Sequence, residues 1–118
     1  MIQTEEFPRD SWDQYLTSLS REANAHLMVV RIESPSLGDQ ILARGLPLVG
    51  ISVEKKGSEQ GAVEVIAERP DGSHLTHLIR EPARIYLARY EEKKEVCLDI
   101  EDKSGQKTLI FIHEGAIM

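Results

Sequence analysis

Trp12, Tyr15, Leu16, Leu19 and Ala23 recur at spacings of three and four, while Asp13, Gln14, Thr17, Ser18 and Arg21 fill the positions between them. That 3.6-residue period predicts an amphipathic helix whose apolar stripe faces a core. Ser11 followed by Gln14 has the spacing of a capping box, and Pro8 suits a first-turn position one turn earlier. Asn24 is the expected stop, because asparagine tolerates the left-handed conformation that closes many helices.

After residue 25 the period changes to two. Met28, Val30 and Ile32 alternate with Arg31 and Glu33, which predicts a strand with one buried face. Ser34-Pro35-Ser36-Leu37-Gly38 is a turn cluster. Ile41 and Ala43 open a second strand, which Gly45 and Pro47 interrupt, and Val49, Ile51 and Val53 continue it around a bend as a third. Beyond a polar loop at 55–61, Val63, Val65 and Ala67 alternate with Glu64 and Glu68. In Arg69-Pro70-Asp71-Gly72-Ser73 the proline presets φ, the aspartate bonds its own backbone and the glycine accepts positive φ, so the strand at 74–80 is the expected hairpin partner. Pro82 ends that strand, and Ile85, Leu87, Tyr86 and Tyr90 form another, apolar on both sides. Val96, Leu98 and Ile100 then alternate with Glu95, Cys97, Asp99 and Glu101, Asp102-Lys103-Ser104-Gly105 turns the chain, and Leu109-Ile110-Phe111-Ile112 closes the series.

One helix followed by about seven strands on short turns predicts an α+β fold in a single domain over residues 1–118. The helix is expected on one face of a strongly bent, mostly antiparallel meander, or plugging a half-open barrel. Parallel pairing needs crossovers of about a dozen residues or more, and the chain has none.

Composition narrows the class. With 41% apolar and 29% charged residues, the chain is that of a globular protein. No apolar run approaches the ~18 residues of a membrane helix, and the acidic start Met-Ile-Gln-Thr-Glu-Glu does not read as a signal peptide, so the expected location is cytoplasmic. A lone cysteine, Cys97, excludes an internal disulfide. A net charge of −6 repels nucleic acid and anionic membrane on average. Arg80, Arg84 and Arg89, interleaved with Tyr86 and Tyr90, are the one stretch that resembles a single-strand binder, and Glu81, Glu91 and Glu92 counter it.

Few residues recommend themselves as chemistry. His74 and His77 are the most tempting pair, but on a strand residues three apart point to opposite faces, so no metal is expected there. His26 and His113-Glu114 fall at the ends of elements. Cys97 has Glu95 and Asp99 as strand-face neighbours, which raise a thiol pKa and blunt reactivity. The row Glu95, Asp99 and Glu101 reads as a solvated face opposite Lys107. Glycine spacing gives no dinucleotide or phosphate loop, there is neither a GxSxG elbow nor an HExxH helix, and no cofactor is expected. Two features stand above background. The run from Thr108 to Ile112 is apolar on both faces, and its second face must be covered by the helix or by another copy of the protein. On Arg84-Tyr86-Ala88-Tyr90, a small residue between two tyrosines offers a slot with a cation at its end for a small anionic ligand, but the expected reading is that the two tyrosines pack on the helix.

The stretches Leu37-Gly38-Asp39-Gln40 through Leu46-Pro47-Leu48-Val49-Gly50-Ile51 and His74-Leu75-Thr76-His77-Leu78-Ile79, with Pro82, Trp12 and the Asp102 turn, resemble a bacterial family of short uncharacterised domains. The resemblance spans nearly the whole chain and implies a shared fold; it brings no activity and no catalytic residue. The expected function is therefore a non-enzymatic binding or interaction module whose partner is itself, as a homodimer, or another protein. The alternative is a small ligand-binding protein or motif-less enzyme with a pocket under the helix near His74, His77, Arg84 and Tyr86, with Arg80 and Tyr90 as further candidates. An RNA-associated small barrel is the third reading, from the order of helix and strands.

Overall fold

The computed structural model describes residues 2–113. Strand β1 (Ile2–Glu6) and a 3-10 turn (Arg9–Ser11) precede helix α1 (Trp12–Ala23). There follow β2 (Leu27–Ser34), β3 (Gly38–Val53), β4 (Val63–Glu68), β5 (His74–Ile79), β6 (Pro82–Tyr90), β7 (Glu95–Asp102) and β8 (Lys107–His113). The strands form one open sheet in the order β1-β6-β7-β8-β2-β3-β4-β5, antiparallel throughout. The α+β fold with a helix on a bent, unclosed antiparallel sheet is thus the one the periodicity predicts. It is built from two meanders, β2 to β5 and β6 to β8, joined where β8 pairs with β2.

The strands differ from the expected series in two ways. The second and third predicted strands are one continuous β3, whose first half pairs with β2 up to Pro47 and whose second half pairs with β4 from Leu48 onward. Gly45, at φ +70°, lies just before that change of partner, a conformation in which glycine avoids the steric penalty of other residues. The added strand is β1, which aligns Ile2 with Tyr90 and Glu6 with Tyr86. All five of its residues are exposed, so it carries no hydrophobic alternation to read.

Alternation divides the large sheet into two faces. Met28, Val30, Ile32, Ile85, Leu87, Val96, Leu98, Ile100, Ile110 and Ile112 point inward and are buried. Trp12, Leu16, Leu19 and Ala23 of α1 close over most of them, joined by Leu48, Ile51, Val63 and Val65 from the curled β3–β4 end. Two turns share one device: Asp71 accepts from the Ser73 N–H (2.9 Å) and hydroxyl (2.6 Å), and Asp102 does the same for Ser104.

The helix ends differ from expectation. Ser11 makes no side-chain cap, and its hydroxyl turns to Asp10 instead. The chain enters α1 through the 3-10 turn that follows Pro8, with the Trp12 indole donating to the Phe7 carbonyl at 3.0 Å. At the other end Ala25, not Asn24, takes positive φ (+70°). Asn24 acts through its side chain, donating to the Val49 carbonyl at 3.0 Å, while Ile51 N–H donates to the Ser20 hydroxyl at 3.1 Å. These bonds fasten the C-terminal half of α1 to the second half of β3, so the helix stays on the inner face.

Candidate functional site

The outer face of the sheet, opposite α1, has a different composition from a solvated one. Strand pairing sets Thr4, Ala88, Cys97, Phe111 and Val29 in one row, and Glu6, Tyr86, Asp99, Leu109 and Arg31 in the next. Between these rows lies a shallow depression of about 430 Å³, lined by Thr4, Arg31, Tyr86, Ala88, Tyr90, Cys97, Asp99, Leu109 and Phe111. Every lining residue belongs to β1, β6, β7, β8 or β2. Alternation explains the face: each outward residue sits beside an inward core residue, so register in the core fixes register outside. Ala88 leaves the gap between the two tyrosines.

Burial and charge on this face are unusual for a surface. Cys97, paired with Phe111 on one side and Ala88 on the other, keeps only 6% of its exposure. Burial pushes its thiol up to about 12, with Asp99 and Glu95 adding to the shift. Burial also raises the Asp99 carboxyl, reinforced by Glu101. The Arg31 guanidinium lies over the Phe111 ring, 5.2 Å from its centroid, and reaches Glu33 at 3.0 Å. Two polar atoms here are buried without a hydrogen-bond partner, Arg31 Nε and Asp99 Oδ1. Such groups are costly when left unpaired.

The six residues singled out from sequence do not form one site. Tyr86, Tyr90 and Arg84 share the outer face of β6, with Arg84 donating to the Tyr86 hydroxyl at 3.3 Å. The tyrosines therefore do not pack on the helix, which lies on the other side of the sheet. His77 points inward, its Nε2 3.2 Å from the hydroxyl of the buried Thr108. The space beside it, among Met28, Val30, Leu42, Val65 and Leu75, is about 10 Å³, no more than one water would need. His74 is exposed, on the opposite face of β5 as strand geometry requires. Arg80 is ion-paired with Glu59 at 3.2 Å. Arg89 points to the helix side, so the three arginines do not build one basic patch.

The grooves under α1 are lined by other residues. One of about 340 Å³ runs past Glu5, Gln14, Tyr15, Glu22 and Arg89, and one of about 200 Å³ lies beside His26 and Ile112. The two-faced run at the chain's end divides as alternation demands: Ile110 and Ile112 enter the core, while Leu109 and Phe111 stay half-buried outside. Asp99 departs from the solvated row assigned to it. Arg31 and Asp99 were individually legible as outward residues, but their pairing on one row follows from the β7-β8-β2 order, which local periodicity does not contain. Glu114 lies outside the described residues.

Comparison with known proteins places the chain in a family. A family model described as a family of unknown function, DUF5335, matches residues 3–116, and the chain belongs to that family. An uncharacterised protein of the bacterium Aquifex aeolicus (strain VF5) is 27% identical over 109 residues, covering 92% of this chain and 91% of the relative. No solved structure matches the chain. Among the described residues no helix is long and apolar enough to cross a membrane.

Proposed function

We propose that this DUF5335 protein is a cytoplasmic, non-enzymatic interaction module that docks another polypeptide, a second copy of itself, on the outer face of its sheet. The observation that carries this reading is the depression around Cys97 on the outer face, lined by sheet residues alone, where Tyr86, Tyr90, Leu109 and Phe111 lie beside Arg31 and Asp99. A face that stays in water is normally polar in an antiparallel sheet, whereas interface centres are rich in tyrosine, phenylalanine and arginine. The rest of the chain's chemistry supports contact rather than turnover: the thiol is held protonated and His77 is occupied by Thr108. A single thiol also suits a reducing compartment.

Sedimentation velocity from low to high micromolar concentration tests the reading, with Phe111→Glu and Tyr86→Glu as probes. The native chain should sediment as a dimer at the upper end, and both variants as monomers with unchanged circular dichroism. A native chain that remains monomeric overturns it. So does a dimer indifferent to both substitutions, which would place self-association at the exposed edges β1 and β5.

A further inference from the structure

We propose that His77 is a pH-sensitive latch: neutral, it fastens the edge strand β5 to β8; protonated, it releases β5 and opens the curled end of the sheet. β5 stands last in the strand order and pairs with β4 alone. Yet β2, β3 and β4, which separate it from β8 in that order, curl far enough to bring His77 Nε2 within 3.2 Å of the Thr108 hydroxyl. Among the described residues Thr108 is the one polar residue buried in the core, and it stands between the buried Ile32 of β2 and Ile100 of β7. A hydroxyl in such an apolar row needs a hydrogen-bond partner, and His77 supplies it. Both residues lie on the inner side of the sheet, so the latch does not depend on the outer-face reading.

The surroundings suit only the neutral ring. Met28 and Val30 of β2, Leu42 of β3, Val65 and Ala67 of β4 and Leu75 of β5 line the same small space, and none of them titrates. The charged neighbours along those strands alternate to the other face: Arg31 on β2, Arg44 on β3, Glu64 and Glu68 on β4, and Lys107 on β8. A neutral imidazole carries one donor and one acceptor, whereas imidazolium brings a second donor and a full charge, and one hydroxyl cannot satisfy both. The 10 Å³ beside the ring leave no room for a hydration shell. Burial accordingly lowers the His77 pKa. β5 is the element that gives way, because it has one ladder, its His74 and Thr76 are exposed, and of its residues Ile79 alone is fully buried.

Hydrogen exchange read by mass spectrometry at pH 7.5 and 5.5, corrected for intrinsic rates, follows the opening strand by strand. With the released ring near its ordinary value of about 6.5, opening of β5 should rise several-fold, up to about tenfold, between these pH values, while β7 and β8 stay protected. His77→Gln keeps a partner for Thr108 and takes up no proton, so its β5 protection should not respond to pH. If His77→Gln does not fold, proton NMR of the native chain decides: the His77 ring should titrate below that of the exposed His74, over the range in which β5 exchange rises. β5 exchange that is flat with pH, a rise shared equally by all strands, an undiminished rise in His77→Gln, or a His77 ring that titrates with His74 overturns the latch.

Discussion

Adjacent residues on β8 give the sharpest test of the two-faced sheet. Ile110 is fully buried against Val30 and Leu98, whereas Phe111 faces outward beside Val29 and Cys97. Ile110→Ala deletes three carbons from a closed core. At about 0.8 kcal/mol per carbon the transfer loss is about 2.4 kcal/mol, and the residual cavity brings it to about 3–4 kcal/mol. A chain of this length holds roughly 6–18 kcal/mol in total, so the variant should fold with a melting temperature lowered by roughly 10–15 °C. Phe111→Ala removes a larger side chain that is only half-buried, and in the monomer it should cost about 1–2 kcal/mol. Urea unfolding followed by Trp12 fluorescence and far-ultraviolet circular dichroism at low micromolar protein measures both, since Trp12 is buried in the same core. If the proposed dimer forms, repeating the titration at high concentration should widen the gap between native chain and Phe111→Ala, because mass action would stabilise the native chain and not the variant. The gap for Ile110→Ala should not change. A Phe111→Ala loss equal to that of Ile110→Ala in dilute protein, or an Ile110→Ala loss under about 1 kcal/mol, would refute the assignment of faces.

His77 is held neutral by burial, its pKa lowered. The unfolded chain then takes up the proton first, so its contribution to stability is complete above about pH 6.5 and is lost as pH falls from there through the folded pKa. Urea midpoints between pH 8 and pH 5 should fall more steeply for the native chain than for His77→Gln, and parallel profiles would contradict the burial. Asp99 has the opposite sign: its raised pKa penalises the ionised folded form, and the penalty grows as pH rises above the ordinary carboxylate value near 3.8. Asp99→Asn should therefore stabilise the chain at neutral pH, and a variant less stable than the native chain at pH 7 would count against this account. Cys97, with its thiol pushed up to about 12, should resist Ellman's reagent at pH 8 in the folded chain and react promptly in denaturant. Fast labelling of the folded chain would contradict the burial of this thiol.

Sequence pattern made the helix face, the bend at Gly45 and Pro47, the two Asx-type turns and the inward residues of β7 and β8 legible, because each depends on neighbours within about ten residues. β1 was not, since an edge strand with five exposed residues is held by backbone pairing to β6 alone. The helix stop was misassigned for a similar reason: Asn24 is recruited by a carbonyl on β3, and Ala25 takes the left-handed turn to reach the Leu48 carbonyl at 2.8 Å. Half of the candidate site followed the same limit. Tyr86, Ala88 and Tyr90 lie on one strand and announce themselves, but Arg31, Asp99 and Phe111 come from three strands whose adjacency is set by the β8–β2 pairing.

That pairing also decides why the exposed face is the outer one. A twelve-residue helix is about 18 Å long and about 10 Å wide, enough to cover a few strands of one face. The bonds from Ser20 and Asn24 to β3 commit it to the inner face, and the curled β3–β5 end closes the same side through Leu48, Ile51 and Val65. With both covering elements committed to the inner face, Leu109, Phe111 and the tyrosines are sheltered by neighbours on the outer face itself, among them Arg31 over Phe111 and Arg84 at the Tyr86 hydroxyl. An outer row made of charged residues would need nothing more. This one carries aromatic rings and a buried thiol, and that composition is what motivates the proposed contact with a second copy.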